Sequence, residues 1–161
     1  LIKIIDGDLF NSDAKIICHQ VNCQGKMGSG VALQVKNKYP EAYTEYKKMC
    51  DEFKDCTKYL LGTIQLIPTN SDKTQFICNL FAQNNYGYDG KKYTSIEALK
   101  SCFISIRNVL ECEHGLLHNA KIAMPWKISC ARGGANWGEV YHMIDEIFTN
   151  FEVELWRFDK G

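Results

Sequence analysis

No stretch of this sequence approaches the ~20 consecutive apolar residues that a membrane-spanning helix needs. Excess charge is missing too: 19 Lys and Arg balance 19 Asp and Glu, so the formal net charge is zero. A duplex-DNA reader ordinarily carries a basic face. Here the lysines at Lys36, Lys38, Lys47 and Lys48 are diluted by Glu41, Glu45, Asp51 and Glu52 and read as a solvated helix face. Direct nucleic-acid binding is therefore not indicated. There is no CxxC pair, no repeat, no linker and no low-complexity tract. The first residues lack the charged and apolar regions of a secretory signal.

What is present is ordinary globular material. The chain has 161 residues, 45% of them apolar and 24% charged. That is enough for one domain over residues 1–161, with a core that needs no covalent staples. The eight cysteines are thus expected as free thiols of a reduced, cytoplasmic protein rather than as a disulfide framework. Cys112, His114 and His118 lie close together but lack a fourth ligand at a sensible spacing. Their segment reads as a helix end and a solvated turn, and neither a metal nor a redox cofactor is implied.

Strand and helix patterns alternate, as in an α/β domain. Short strands are expected at Leu1 to Ile5, Lys15 to Val21, Leu61 to Pro68, Gln75 to Phe81, Lys121 to Met124 and around Phe151, Val153 and Leu155. Helices are expected from Gly28, with Val31, Val35 and Tyr39 at helical spacing, and from Pro40, with Tyr43, Tyr46, Cys50 and Phe53 toward the core. A third, capped by Thr94 or Ser95, runs to about Leu110, and a fourth covers Trp137 to Phe148. The polar loop over Ala82 to Tyr93 is long for a compact domain.

Two loops could carry chemistry. Asn22-Cys23-Gln24-Gly25-Lys26-Met27-Gly28-Ser29-Gly30 lies between a buried strand and a helix. Its glycines allow close backbone approach, and the helix start offers unpaired N–H groups to an anion. It matches neither the P-loop nor the GxGxxG pattern. Ser129-Cys130-Ala131-Arg132-Gly133-Gly134-Ala135-Asn136 occupies the same kind of position. Two anion cradles converging on one crevice would suit a diphosphate.

These loops carry a resemblance. Val21-Asn22-Cys23-Gln24-Gly25 followed by Met27-Gly28-Ser29-Gly30-Val31-Ala32 resembles the first ligand loop of macro domains. It looks most like the branch holding ADP-ribose-1''-phosphate phosphatases and glycohydrolases of terminal ADP-ribose. Asp6-Gly7-Asp8-Leu9-Phe10, Asn79 to Gln83 with Tyr86-Gly87, and Met124-Pro125 with Ile128 to Trp137 are similar to further family segments, in the same order. The resemblance implies a three-layer α/β/α sandwich around a mixed, mostly parallel sheet of about six strands. It also implies binding of ADP-ribose or an ADP-ribosylated substrate by a monomer, and hydrolysis of ADP-ribosyl adducts or ADP-ribose-1''-phosphate at the distal ribose.

By the same resemblance, Asp8 takes the adenine amino group, with the backbone of Leu9 nearby. Asn22 positions the distal ribose. Gly28, Ser29, Gly30 and Val31 wrap the diphosphate from one side, and Ser129, Cys130, Ala131, Arg132, Gly133 and Gly134 from the other. Tyr86 is a candidate adenine or ribose contact. Plainer roles stay open: Asp8 as a turn cap, Asn22 as a partner of loop backbone, Tyr86 as a packing aromatic.

The chain also departs from the family pattern. Ser129, Ala131 and Ala135 stand where similar domains have glycine, and Asn136 replaces an acid before the tryptophan. The catalytic lysine of one glycohydrolase branch falls near Gln83, with Lys91 and Lys92 as poor substitutes, and its aspartate falls near Gly133. Binding survives these departures better than catalysis, so a binding module without turnover stays open beside the hydrolase. His19, in a core strand, and His142, in a helix, have the chemistry for proton transfer.

Overall fold

The computed structural model describes residues 1–87, 89–130 and 133–158. Strand β2 (Ile16–Asn22) shows how the layers arise. Side chains of successive strand residues point to opposite faces. Ile16 and Cys18 join a core cluster containing Leu99, Phe103, Val140 and Ile144. Ile17 and Val21 join another, containing Val35, Ala42, Tyr46 and Cys50. A strand covered on both sides is apolar where the helices cover it, as β2 is from Ile16 to Cys18, and it carries its polar residues, His19, Gln20 and Asn22, toward its C-terminal end.

The other strands are β1 (Ile2–Asp6), β3 (Ile64–Pro68), β4 (Phe76–Gln83), β5 (Ile122–Pro125) and β6 (Val153–Arg157). They form one sheet in the order β1-β6-β5-β2-β4-β3. β3 runs antiparallel to β4 and the other neighbours are parallel. Helices α1 (Gly30–Lys38) and α2 (Pro40–Glu52) cover one face. Helices α3 (Ile96–Glu111) and α4 (Trp137–Ile147) cover the other. This is the α/β/α sandwich that the resemblance implies.

Local chemistry sets the ends. Pro40 occupies the first turn of α2, where its missing N–H costs nothing, and Tyr39 before it leaves helical geometry (φ −132°, ψ 73°). Ser95, not Thr94, caps α3: its hydroxyl accepts from Ala98 N at 3.1 Å. Most ends shift by a residue from the sequence pattern, and three shift further. Helix α1 begins at Gly30 rather than Gly28, because Ser29 is extended (φ −158°, ψ 163°). β3 begins at Ile64 rather than Leu61, because Gly62 is in the left-handed region (φ 94°) and Thr63 N closes a turn on Leu60 O. β4 continues through Ala82 and Gln83, which the sequence pattern assigns to the loop.

Because β1, β6, β5, β2 and β4 are mutually parallel, the segments leaving their C-terminal ends gather on one edge of the sheet. That edge is where open α/β sheets bind ligands.

Candidate functional site

A cavity of about 500 Å³ opens on this edge. Its floor includes His19 and Gln20 of β2. The loop after β2 contributes Asn22, Lys26, Gly28 and Ser29, and the start of α1 adds Gly30 and Val31. The segment after β5 faces them with Trp126, Lys127, Ile128, Ser129 and Gly133. Gln83, Tyr86 and Gly87 enter from the end of β4. The two loops singled out by sequence therefore share one open space. No carboxylate occurs among the described lining residues, and a lysine stands on each side.

The first loop is folded around Asn22. Its Oδ1 accepts from Gln24 N at 2.9 Å and from Tyr46 Oη at 2.8 Å, and its Nδ2 donates to Lys26 O at 2.9 Å. Tyr46 comes from α2 and is fully buried. Its hydroxyl also lies 2.7 Å from Asn22 O, and burial pushes its pKa well up. Asn22 thus does the plainer of its two expected jobs, tying loop backbone, while also lining the cavity. Downstream, Ser29 makes no side-chain cap to α1, which leaves the helix-start amides to other acceptors.

The second loop is built differently. Asn136 caps α4 by accepting from Glu139 N at 3.0 Å, so that helix start is already served by its own chain. On this side the described lining comes from the loop, Trp126, Lys127, Ile128, Ser129 and Gly133, and not from α4. Ser129, a non-glycine residue with φ 72°, sits in the left-handed region, and its Oγ donates to Gln20 Oε1. Ala135 has no such conformation and takes its Cβ without strain. At Gly133 a Cβ would collide with Thr94 Oγ1 and Ser129 O, so only glycine fits.

The macro-domain model matches residues 18–144, well over half of the chain, and takes in both loops. The chain is a macro domain. An ADP-ribose 1''-phosphate phosphatase of Debaryomyces hansenii is 29% identical over 99% of this chain and 100% of its own length. A DNA ADP-ribosyl glycohydrolase of Mycobacterium bovis is 30% identical over 92% of this chain, which spans only 39% of that protein. In fold, the chain is similar to the macrodomain of Mycobacterium tuberculosis DarG, with a TM-score of 0.79 and 22% identity over 99% of each chain. It is likewise similar to Thermosipho africanus DarTG in complex with ADP-ribose, with a TM-score of 0.78 and 20% identity over 99% of this chain and 42% of that one.

His19 is the buried titratable group of the macro-domain cavity. Its tautomer follows from a relay of amides. Gln65 Nε2 donates to the Glu45 carbonyl, so Gln65 Oε1 accepts from Asn79 Nδ2 at 3.1 Å. That leaves Asn79 Oδ1 facing His19 Nε2 at 2.5 Å. Nε2 therefore carries the proton. Nδ1 keeps a buried lone pair with no partner among the described residues. Burial lowers the pKa to about 4, against a smaller opposite push from Asn79, so the ring is neutral near pH 7. His142, by contrast, is an exposed helix residue 3.0 Å from Glu146.

Of the residues that the resemblance implies, Asn22, Gly28, Ser29, Gly30, Val31, Tyr86, Ser129 and Gly133 line the cavity. Asp8, Leu9, Cys130 and Gly134 are not among its lining. Asp8 Oδ1 accepts from Phe10 N at 3.0 Å, a turn cap at the C-terminal end of β1, and Leu9 is buried. Cys130 is half-buried, with its thiol pKa raised by burial. At Gly134 (φ 73°) an added Cβ would press on Lys92 Cα. Ala131 and Arg132 lie outside the described residues. Sequence reasoning missed Gln20, Tyr46, Asn79 and Thr94 as parts of the site. Each is either a polar residue in an apolar strand or a partner supplied by a distant element, and the only signal was the polarity of Gln20 and Asn79 inside core strands.

Proposed function

We propose that this macro domain, occupying residues 1–161 as one unit, binds ADP-ribose in the cavity and hydrolyses ADP-ribosyl adducts or ADP-ribose-1''-phosphate at the distal ribose. One observation carries the reading: two backbone loops from different strand ends line facing sides of a single open cavity. A cavity of about 500 Å³ suits a dinucleotide-sized ligand. The helix-start amides at Gly30 and Val31 meet the diphosphate from one side, and the backbone at Ser129 and Gly133 from the other. Lys26 and Lys127 add positive charge, and with no carboxylate among the described lining residues there is little repulsion toward phosphate. The names of relatives on both the phosphatase and the glycohydrolase side support the same ligand.

In this reading Asn22 orients the distal ribose while holding its own loop rigid. Asp8 and the Leu9 backbone, on the same sheet edge but outside the cavity, receive the adenine, and Tyr86 flanks it. Cys130, Ala131, Arg132 and Gly134 complete the second loop. The preorganised amides hold the diphosphate and so fix the distal ribose for attack by a water, whose oxygen bonds to C1'' as the adduct leaves with the proton, or to the 1''-phosphorus as the ribose oxygen leaves with it. A cytoplasmic monomer agrees with the cysteines being free thiols.

Calorimetry with ADP-ribose, followed by hydrolysis assays on ADP-ribose-1''-phosphate and ADP-ribosylated nucleic acid or protein, tests the proposal. Binding and product release that an Asn22→Ala control abolishes are the expected results. A second reading, a binding module without turnover, draws on the lack of any carboxylate pair for acid–base work in the described lining. It predicts binding with every adduct left intact.

A further inference from the structure

Gln20 stands out among the residues of β2. Ile16 and Cys18, its same-face predecessors, are fully buried apolar core, and its partner across the strand pair is Leu80. An apolar residue would continue the pattern. Instead the Gln20 amide ties together three segments that are remote in sequence. Nε2 donates to Gln83 Oε1 at 2.6 Å and to Thr94 Oγ1 at 2.8 Å. Oε1 accepts from Ser129 Oγ. Thr94 Oγ1 in turn donates to the Ser129 carbonyl at 3.1 Å. Both Gln20 protons and its oxygen are engaged, so the group is fully satisfied.

The tie falls on a conformationally awkward residue. Ser129 has φ 72°, which an L side chain adopts only when its surroundings impose it. The hydroxyl bond to Gln20 and the carbonyl bond from Thr94 are those surroundings. The rest of the loop is keyed to the same point. Ala135 N donates to Ser129 O at 3.0 Å, and Tyr93 N and Thr94 N donate to Gly133 O at 2.8 and 2.9 Å. A Cβ at Gly133 would also strike Gln20 Nε2.

We propose that Gln20 is a positioning residue: it holds Ser129 in the left-handed conformation and thereby sets the shape of the second ligand loop. The role rests on the ADP-ribose reading for its functional meaning. It also accounts for a serine where similar domains carry glycine. Glycine reaches that backbone conformation unaided, whereas serine reaches it through Gln20.

The test is a set of substitutions in the whole chain. Ser129→Ala keeps the strained backbone and removes the hydroxyl, while Ser129→Gly removes hydroxyl and strain together. ADP-ribose affinity should fall about tenfold in Ser129→Ala, as for one lost hydrogen bond of ordinary strength, and by a clearly smaller factor, about threefold, in Ser129→Gly. Gln20→Met should cost about tenfold in the parent and only about twofold in the Ser129→Gly background. Melting temperatures should barely separate the two Ser129 variants. Equal loss in Ser129→Ala and Ser129→Gly, no loss in either, or an equal cost of Gln20→Met in both backgrounds overturns the proposal. Should the parent bind no ADP-ribose, the proposed function fails, and hydrogen exchange still reads the tie. The amides of Tyr93, Thr94 and Ala135 should exchange about tenfold faster in Ser129→Ala but not in Ser129→Gly, and unchanged exchange in Ser129→Ala refutes the tie.

Discussion

His19 shows what a single residue's surroundings do to its chemistry. The unfolded imidazole has its ordinary pKa near 6.5, whereas the buried one titrates at about 4. Between those values the unfolded chain binds a proton that the native state does not, so stability falls as pH drops from about 6.5 to about 4 and levels off below. The full effect is on the order of 3 kcal/mol, a sizeable part of a typical domain's stability. Melting temperature against pH should show this slope, and a His19→Gln variant should lose most of it; a slope identical in both proteins contradicts the assignment. Tyr46 supplies a second prediction. Removing its hydroxyl in Tyr46→Phe leaves Asn22 with fewer partners and should cost about 1 kcal/mol of stability, with weaker ADP-ribose binding, as measured by chemical denaturation and calorimetry. At this scale the sequence was legible where a residue belongs to a local motif, as Asn22 and Gly133 do. It was silent where the role depends on a partner from another element. Tyr46 reads as one more apolar position on α2, and only the fold brings its hydroxyl to Asn22. Asp8, read as an adenine contact or a turn cap, makes the turn cap in the structure, and both roles use the same carboxylate.

At the scale of elements, periodicity located every strand and helix described here, and the ends moved by up to three residues. The largest shifts have local backbone reasons: the extended Ser29 before α1 and the left-handed Gly62 before β3. The same backbone detail decides how the second loop works. The sequence suggests two helix starts pointing at one anion, yet Asn136 caps α4, and the loop itself takes that side. Gly133→Ala tests the loop as an element. Its Cβ meets Thr94 Oγ1 and the Ser129 carbonyl, neither of which can yield without breaking the junction with Thr94. The variant should keep its sheet, seen by far-UV circular dichroism, and lose at least about tenfold in ADP-ribose affinity. Unchanged affinity would mean that the loop's shape does not matter to the ligand.

Over the whole molecule, alternation of strands and helices pointed to an α/β domain, the family resemblance implied the three-layer sandwich, and apolar runs picked out the central strands. The strand order, and with it the meeting of loops more than a hundred residues apart, is a long-range property that no local pattern encodes. The thiols report on the same global packing. Cys18, Cys23, Cys50, Cys78 and Cys102 are buried, and burial raises the pKa values of Cys23 and Cys102 to about 12. Cys56 and Cys112 are exposed. A thiol reagent should therefore find Cys56 and Cys112 quickly in the native protein, and all eight only after denaturation. Early loss of Cys18 or Cys78 would show that the core opens readily.

The most direct measurement is a crystal structure of the protein with ADP-ribose. The diphosphate should lie between the two loops, with its oxygens within about 3.2 Å of main-chain amides at Gly30 or Val31 on one side and in the 129–133 segment on the other. A diphosphate held by one loop alone, or ADP-ribose seated away from this cavity, would contradict the account.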